Sequence, residues 1–193
     1  MRPLRPSRLS KTLALVPPAV TLFAPHAEGA FTGYIKIGDI EGEAVAEGRD
    51  GWIDVESVSW GASRNVATPS GGSTNREASN PTVSELTFVK KVDSASPPLF
   101  LNAVAGESIG TVTLELVTAG KPYGDKVFYR ITLSDVMVSS QNVSADTDTG
   151  ETEERITLNF AKINVEFLKL DEKNGAVTAT ISGGFNLATG KTF

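Results

Sequence analysis

Residues able to carry out nucleophilic or acid–base chemistry are scarce in this sequence. The chain has no cysteine and one histidine, His26. A thiol nucleophile, a disulfide framework and a cysteine-based zinc site are therefore excluded. A histidine triad or a histidine general base would have to use a residue near the amino terminus, outside the β-rich part of the chain.

Carboxylates are the next residues to consider. Asp54, Glu56, Glu115 and Asp135 lie in predicted strands, and two carboxylates flanking a sugar can hydrolyse a glycosidic bond. Their spacing singles out no pair, and exposed strand faces account for such residues. A carboxylate hydrolase stays open as an alternative, which Asp54→Asn and Asp135→Asn would test.

Two further stretches are similar to ligand-binding loops. The segment Asp146–Glu151 alternates acidic residues before a glycine, as calcium loops do, but it lacks the third acidic position and the spaced bidentate glutamate. The segment Gly184–Thr192 has five residues between its glycines, whereas a Walker loop needs four and must open a helix. We expect no metal and no cofactor.

Trp52 and Trp60 could form a platform for a sugar. Their spacing of eight residues puts both on one face of a straight strand, about 27 Å apart. That separation suits two packing layers better than one ligand. A secreted β-domain that binds carbohydrate or protein is nevertheless an alternative function.

The amino-terminal segment, residues 1–30, differs from the rest of the chain. A basic start precedes an apolar run, Thr12–Ala24, that is interrupted by paired prolines. We interpret it as a signal-like segment, a translation start set too far upstream or a disordered tail, and residues 31–193 as one domain. The run is too short to insert into a membrane. The net charge of −5 and the lack of a basic stripe argue against nucleic acid as a partner.

The elements that must position any site are mostly strands. Val, Ile, Thr and aromatic residues recur between turn signals. The strands are predicted at residues 33–37, 52–60, 82–90, 111–118, 126–140, 155–168 and 176–181. The pattern predicts a mainly β fold, a small antiparallel β-barrel with one short α-helix.

The helix is predicted over residues 96–105. Ser96 is expected to be the N-cap, Pro97 to open the first turn, and Gly106 to end the helix. Phe100, Ala103 and Val104 are expected to face the sheet, since they recur at helical spacing.

The two longest strands, residues 126–140 and 155–168, are expected to form a hairpin around a polar loop at residues 141–154. Their apolar residues change phase partway, so either a bulge lies near Ala161 or each half of the strand packs against a different body. On the two-body interpretation Ile156, Leu158 and Phe160 pack in the core of the subunit, and three residues lie nearer a barrel end or a neighbouring subunit: Ile163, Val165 and Phe167.

Five blocks in order resemble the haemolysin-coregulated protein (Hcp) family of bacterial type VI secretion systems. They are Gly51-Trp-Ile-Asp-Val-Glu-Ser-Val-Ser-Trp-Gly61, Ser84–Asp93 with the helix after it, Tyr129–Ser139, Glu154–Ile163 and Gly184–Leu187. In the last block Phe185 stands where the family has tryptophan.

The resemblance implies a non-enzymatic tube subunit. Such subunits form homo-hexameric rings that stack inside a contractile sheath beneath a spike protein, and they carry effector cargo in the lumen. They are assembled in the cytoplasm and are then secreted from the cell or delivered to a target cell. The resemblance favours two bodies over a bulge as the cause of the phase change, with a local bulge still possible. It also gives Trp60, Ile163, Val165 and Phe167 as subunit-interface candidates. The loop at residues 63–81 becomes a candidate ring-stacking contact, with these residues: Arg64, Asn65, Ser70, Gly71, Gly72, Arg76 and Glu77.

Overall fold

The structure is a computed structural model that describes residues 31–66, 79–119 and 124–193. The predicted amino-terminal segment, residues 1–30, and most of the proposed stacking loop lie outside the described residues. Within the described ranges the chain forms strands and one helix, in this order: β1 Phe31–Ile37, β2 Ile53–Val55, β3 Ser57–Ser59, β4 Ala62–Ser63, β5 Thr82–Val83, β6 Leu86–Lys90, α1 Ser96–Ala105, β7 Thr111–Thr118, β8 Val127–Asp146, β9 Glu151–Leu170, β10 Val177–Asn186 and β11 Lys191–Thr192.

The strands form one large antiparallel sheet and a small hairpin. The main path is β11-β10-β9-β8-β7-β1-β2, and β6 pairs with both β9 and β3. β4 and β5 pair only with each other among the described strands. The prediction of a mainly β, antiparallel fold with one short helix is therefore confirmed.

The hydrogen-bonded ladder does not close into a complete barrel. β2 pairs with β1, whereas β3 pairs with β6. Glu56 stands between these two short strands, and its N–H donates to the carbonyl of Val89 at 2.8 Å. The strand predicted over residues 52–60 is therefore split at Glu56, and each half is bonded to a different partner.

The long hairpin extends further than its apolar pattern. β8 runs to Asp146 and β9 starts at Glu151, so most of the predicted polar loop at residues 141–154 is strand. Its residues are polar because this end of the hairpin is largely exposed to solvent. The carboxylate of Asp146 accepts the N–H groups of Asp148 and Thr149, which fixes the tight turn.

One main core lies on a single side of the sheet. Ile156, Leu158 and Phe160 are buried in it, as predicted. Ile163, however, is also buried there with 3% exposure, and Val165 packs against the same core. The two-body interpretation of the phase change is therefore wrong, because both phases of β9 face one core.

The helix begins at Ser96 and is rotated from the predicted orientation. Its N-cap is Ala95, with no side-chain capping bond. The fully buried residue is Leu99, whereas Phe100 and Val104, expected to face the sheet, are 56% and 66% exposed. Of the three residues predicted to face the sheet, Ala103 does pack against the main core. The predicted end is confirmed, because Gly106 adopts φ 67° and its N–H donates to the carbonyl of Asn102.

Candidate functional site

A buried ionic cluster fixes the rotation of α1. It consists of Lys90, Asp93, Ser96, Gln141 and Glu154. The Lys90 Nζ lies 2.6 Å from Asp93 Oδ1 and 2.6 Å from Glu154 Oε2, and its side chain is 1% exposed. The Ser96 hydroxyl donates to Glu154 at 2.5 Å. The N-cap prediction for Ser96 is wrong, because its hydroxyl oxygen accepts from Lys90 Nζ at 3.0 Å and from the Asp93 N–H at 3.1 Å rather than from an N–H of the helix.

The carboxylate of Glu154 is ionised inside the fold. Burial alone would raise its pKa, but hydrogen bonds from Lys90, Ser96 and Gln141, together with the charge of Lys90, hold the pKa below its usual range. All of its partners are structural groups of the same chain. The cluster thus clamps the start of α1 to β6, β8 and β9.

A second set of polar side chains lies in one row across four neighbouring strands of the sheet. Tyr34, Glu115, Arg130 and Glu166 are paired in register on β1, β7, β8 and β9. Glu115 accepts from Arg130 at 2.8 Å and from Arg49, in the loop between β1 and β2, at 2.7 Å. This loop therefore covers one face of the sheet.

The carboxylates considered for catalysis are not brought together. Glu115 is neutralised by two arginines, and Asp135 accepts from the Ser108 hydroxyl at 3.0 Å. Burial and the charge of Asp93 raise the pKa of Asp54, which lies on the same rung as Tyr34. Within residues 31–66, 79–119 and 124–193, no group of three or more acidic or histidine side chains could hold a metal ion.

The two tryptophans belong to separate packing clusters. Trp52 packs with Tyr34, Ala44 and Val117, whereas Trp60 packs against the main core. Both are half-buried. This agrees with the expectation of two packing layers and leaves little ring surface for a sugar.

The interface candidates fall into three environments. Ile163 lies inside the core, Val165 is half-buried against it, and Phe167 is 47% exposed. Phe167 pairs with Tyr129 on β8 and with Ile181 on β10, and Ile181 is 64% exposed. Trp60 is close enough to Tyr129 to influence its hydroxyl: burial raises the pKa of Tyr129, and Trp60 partly opposes that increase. We call Trp60, Tyr129, Phe167 and Ile181 the edge patch.

An open strand edge adjoins the edge patch. β11 pairs only with Phe185 and Asn186 of β10, so Val177–Gly183 has β9 as its single strand partner among the described residues. Every residue of Val177–Gly183 is exposed. An exposed, uncharged strand edge is a template for another chain. This edge was not predicted from the sequence, although residues 177–186 contain no charged side chain.

The base of the proposed stacking loop is ordered by pairing. β4 and β5 form its stem, and the backbones of Asn65 and Ser79 bond at 2.9 Å. Arg64 and Asn65 are exposed at this stem. Ser70, Gly71, Gly72, Arg76 and Glu77 lie outside the described residues.

The segment resembling a phosphate-binding loop is part of a strand pair. Gly184 lies in β10, and the turn after Asn186 leads into β11 rather than into a helix. The segment resembling a calcium loop forms the hairpin turn at Asp146. Neither stretch has the geometry of the site it is similar to in sequence.

Comparison with known proteins supports one family. The model of the family described as "Type VI secretion system effector, Hcp" matches residues 34–167. The curated protein hcp1 of Pseudomonas aeruginosa is 33% identical over 135 residues, which cover 69% of this chain and 81% of that protein. The chain therefore belongs to the Hcp family of type VI secretion system effectors.

Solved structures agree on the fold. A structure described as a type six secretion system protein superposes with a TM-score of 0.78 at 28% identity, covering 85% of this chain and all of that one. The crystal structure of Hcp1 from Salmonella typhimurium gives a TM-score of 0.67 at 23% identity, covering 85% and 99%. No helix in the described parts of this chain is long and apolar enough to cross a membrane.

Proposed function

We propose that this protein is the tube subunit of a bacterial type VI secretion system. It forms homo-hexameric rings that stack into an inner tube, and sheath contraction expels the tube. The role is structural rather than enzymatic. Family membership supports a role in the type VI secretion system. The observation that supports assembly into rings is the uncharged open edge of β10 beside the edge patch.

The physical reason for assembly is the surface that a single copy leaves uncovered. Phe167 and Ile181 are large apolar side chains beside a strand edge with unpaired backbone groups. A neighbouring copy would bury the side chains and cover that edge. Copies that meet head to tail close into a ring when the rotation between them divides the circle.

The remaining assembly follows from the family. The spike protein, sheath and lumen cargo are the proposed partners. The protein is assembled in the cytoplasm and then leaves the cell with the tube. We propose residues 31–193 as the folding unit, with residues 1–30 dispensable for ring formation. The loop at residues 63–81 is the proposed ring-to-ring contact, because the strands at its two ends, β4 and β5, pair with each other.

Light scattering and negative-stain microscopy of the purified full chain test the proposal. Rings of about six copies are expected. Ile181→Glu places a charge on the edge patch and should leave monomers. Val143→Glu is the matched control, because Val143 is 59% exposed at the far end of the β8–β9 hairpin, and it should keep the rings. A wild-type protein that stays monomeric at high concentration would overturn the proposal.

Stacking has a separate test. Deletion of Ser70–Ser79 should spare the rings and shorten or abolish tubes, since it removes the proposed contact between rings. Sheath-associated tubes of normal length and normal secretion in the deletion strain would show that the loop is not that contact.

A carbohydrate-binding β-domain is not favoured. That function needs an exposed aromatic platform, and both tryptophans are half-buried in packing clusters.

A further inference from the structure

The outer face of α1 is apolar although it faces solvent. Phe100, Leu101 and Val104 are 56%, 61% and 66% exposed. They recur at helical spacing with Pro97, so they form one stripe along the helix. The opposite face, with Leu99, is buried in the core. We call Pro97, Phe100, Leu101 and Val104 the helix stripe. A helix that is apolar on both faces is typical of a helix buried on both sides.

Charge distinguishes α1 from its surroundings. Among the described elements longer than three residues, α1 and β10 alone contain no Asp, Glu, Lys or Arg. Both nevertheless carry large exposed apolar side chains, such as Leu101 and Ile181. The chain has a net charge of −5, so two copies meet with the least repulsion between like charges at surfaces that carry no charged residues. Depletion of charged residues marks the centre of protein interfaces.

The two uncharged surfaces lie on different halves of the long hairpin. β10 pairs with Lys162–Leu170 of β9. α1 packs on β8, where Gln141 donates to the carbonyl of Ser96. The path along β8 from Tyr129, in the edge patch, to Gln141, beside α1, is about 40 Å at the usual rise per residue. One surface therefore does not cover the other within a chain.

We propose that the helix stripe of one copy is the docking surface for the edge patch and β10 of the next copy. This inference rests on the proposed ring function and specifies which two surfaces meet. A head-to-tail ring requires two different complementary patches on each chain, and these are two exposed, uncharged, apolar patches on separate parts of the molecule. The contact buries Leu101 and Val104 against Phe167 and Ile181.

The absence of cysteine allows a direct test. Leu101→Cys and Ile181→Cys are made singly and together in the full chain. Purified protein is treated with a short bismaleimide linker, which tolerates small differences in register, and is run on a denaturing gel. The double variant should give a ladder of covalent oligomers that ends at the closed ring. Each single variant should run as a monomer, because its cysteine has no counterpart within reach.

A matched control and two contrary outcomes make the experiment decisive. Val143→Cys combined with Ile181→Cys should give no ladder. Rings visible by light scattering without a ladder from the Leu101–Ile181 pair would overturn this contact but leave the ring function standing. Dimers from Leu101→Cys alone would overturn it as well, since they would show a symmetric helix-to-helix contact. Absence of rings in the wild type would instead refute the ring function itself.

Charge exchange gives an independent readout. Val104→Glu and Ile181→Lys should each weaken ring assembly by about tenfold or more, because each places a charge in an apolar contact. Combining the two should restore much of the lost assembly. A combination no better than the worse single variant would contradict direct contact between these surfaces.

Discussion

Removal of the buried lysine tests the role of the ionic cluster most directly. In Lys90→Met the carboxylate of Glu154 keeps its burial, with no exposed side-chain surface, but loses its counter-charge at 2.6 Å. Only the Ser96 hydroxyl and the Gln141 amide remain as partners of Glu154. Removing one partner of a buried pair costs about 3–5 kcal/mol of unfolding free energy. For a chain of this size that corresponds to a fall in Tm of about 6–20 °C.

Urea unfolding followed by tryptophan fluorescence measures this change. All variants are compared at one protein concentration, because association stabilises the folded state by mass action. Glu153→Gln is the matched control: it removes a carboxylate one position away in β9, paired with Arg155 at 3.0 Å but half-exposed. Its effect should stay within about 0.5 kcal/mol.

The double variant Lys90→Met/Glu154→Leu separates the pair from its surroundings. It should recover part of the loss, because it no longer buries an unpaired charge. A cost for Lys90→Met below about 1 kcal/mol, or a double variant whose loss equals the sum of the single losses, would refute the assignment of the cluster as a coupled clamp.

Three more predictions follow from single residues. The folded pKa of Glu154 lies below its ordinary value near 4.5, so the stability that this carboxylate contributes is present above that pH and is lost as the pH falls through the folded pKa. The urea midpoint should therefore decline more steeply with acid in the wild type than in Glu154→Gln. Parallel declines in the two proteins would contradict this prediction. Asp135 adopts φ 54°, a backbone conformation that glycine tolerates and a β-branched residue does not. In thermal unfolding, Asp135→Gly should raise the free energy of unfolding by about 0.5–1 kcal/mol and Asp135→Val should lower it by about 1–2 kcal/mol. Equal effects of the two substitutions would show that the backbone is not strained at this residue. A Cβ at Gly42 would lie 2.5 Å from the carbonyl oxygen of Trp52, so Gly42→Ala should cost about 1–3 kcal/mol, whereas Gly61→Ala, where the nearest atom is 4.0 Å away, should be close to neutral by the same urea assay.

Local patterns predicted the elements better than their partners. Alternation of apolar residues identified β6, β7 and both arms of the long hairpin, because strand periodicity depends only on neighbouring residues. It did not identify the split at Glu56, since that split depends on pairing with two strands distant in sequence. It also predicted a loop where most of the hairpin end is strand, because residues on an exposed hairpin are polar on both faces and show no apolar alternation.

The helix shows how a tertiary contact overrides a local rule. Ser96 before Pro97 is a favourable N-cap pattern, but the Ser96 hydroxyl donates to Glu154, which lies 58 residues away. That bond places Ser96 inside the first turn and turns Leu99, rather than Phe100, into the core. The helical spacing of apolar residues could not decide between these faces, since both the buried face and the helix stripe are apolar. The absence of charged residues from α1 was visible in the sequence, and it fits a helix with two apolar faces.

The phase change in the long hairpin has a cause that neither expected explanation describes fully. Ser134 pairs with Lys162 and Val136 pairs with Phe160, so no residue is inserted between β8 and β9 at Asp135 and Ala161. Leu133 and Val136 nevertheless both face the core, which regular alternation forbids. Asp135, with its positive φ, lies where β8 changes face. β9 changes face at the same place, between Phe160 and Ile163, because paired residues of adjacent strands share a face. A change in the apolar alternation of one strand alone is ambiguous. When the alternation changes at the same paired position in two neighbouring strands, it indicates that both strands reverse their buried face together and line a single continuous core.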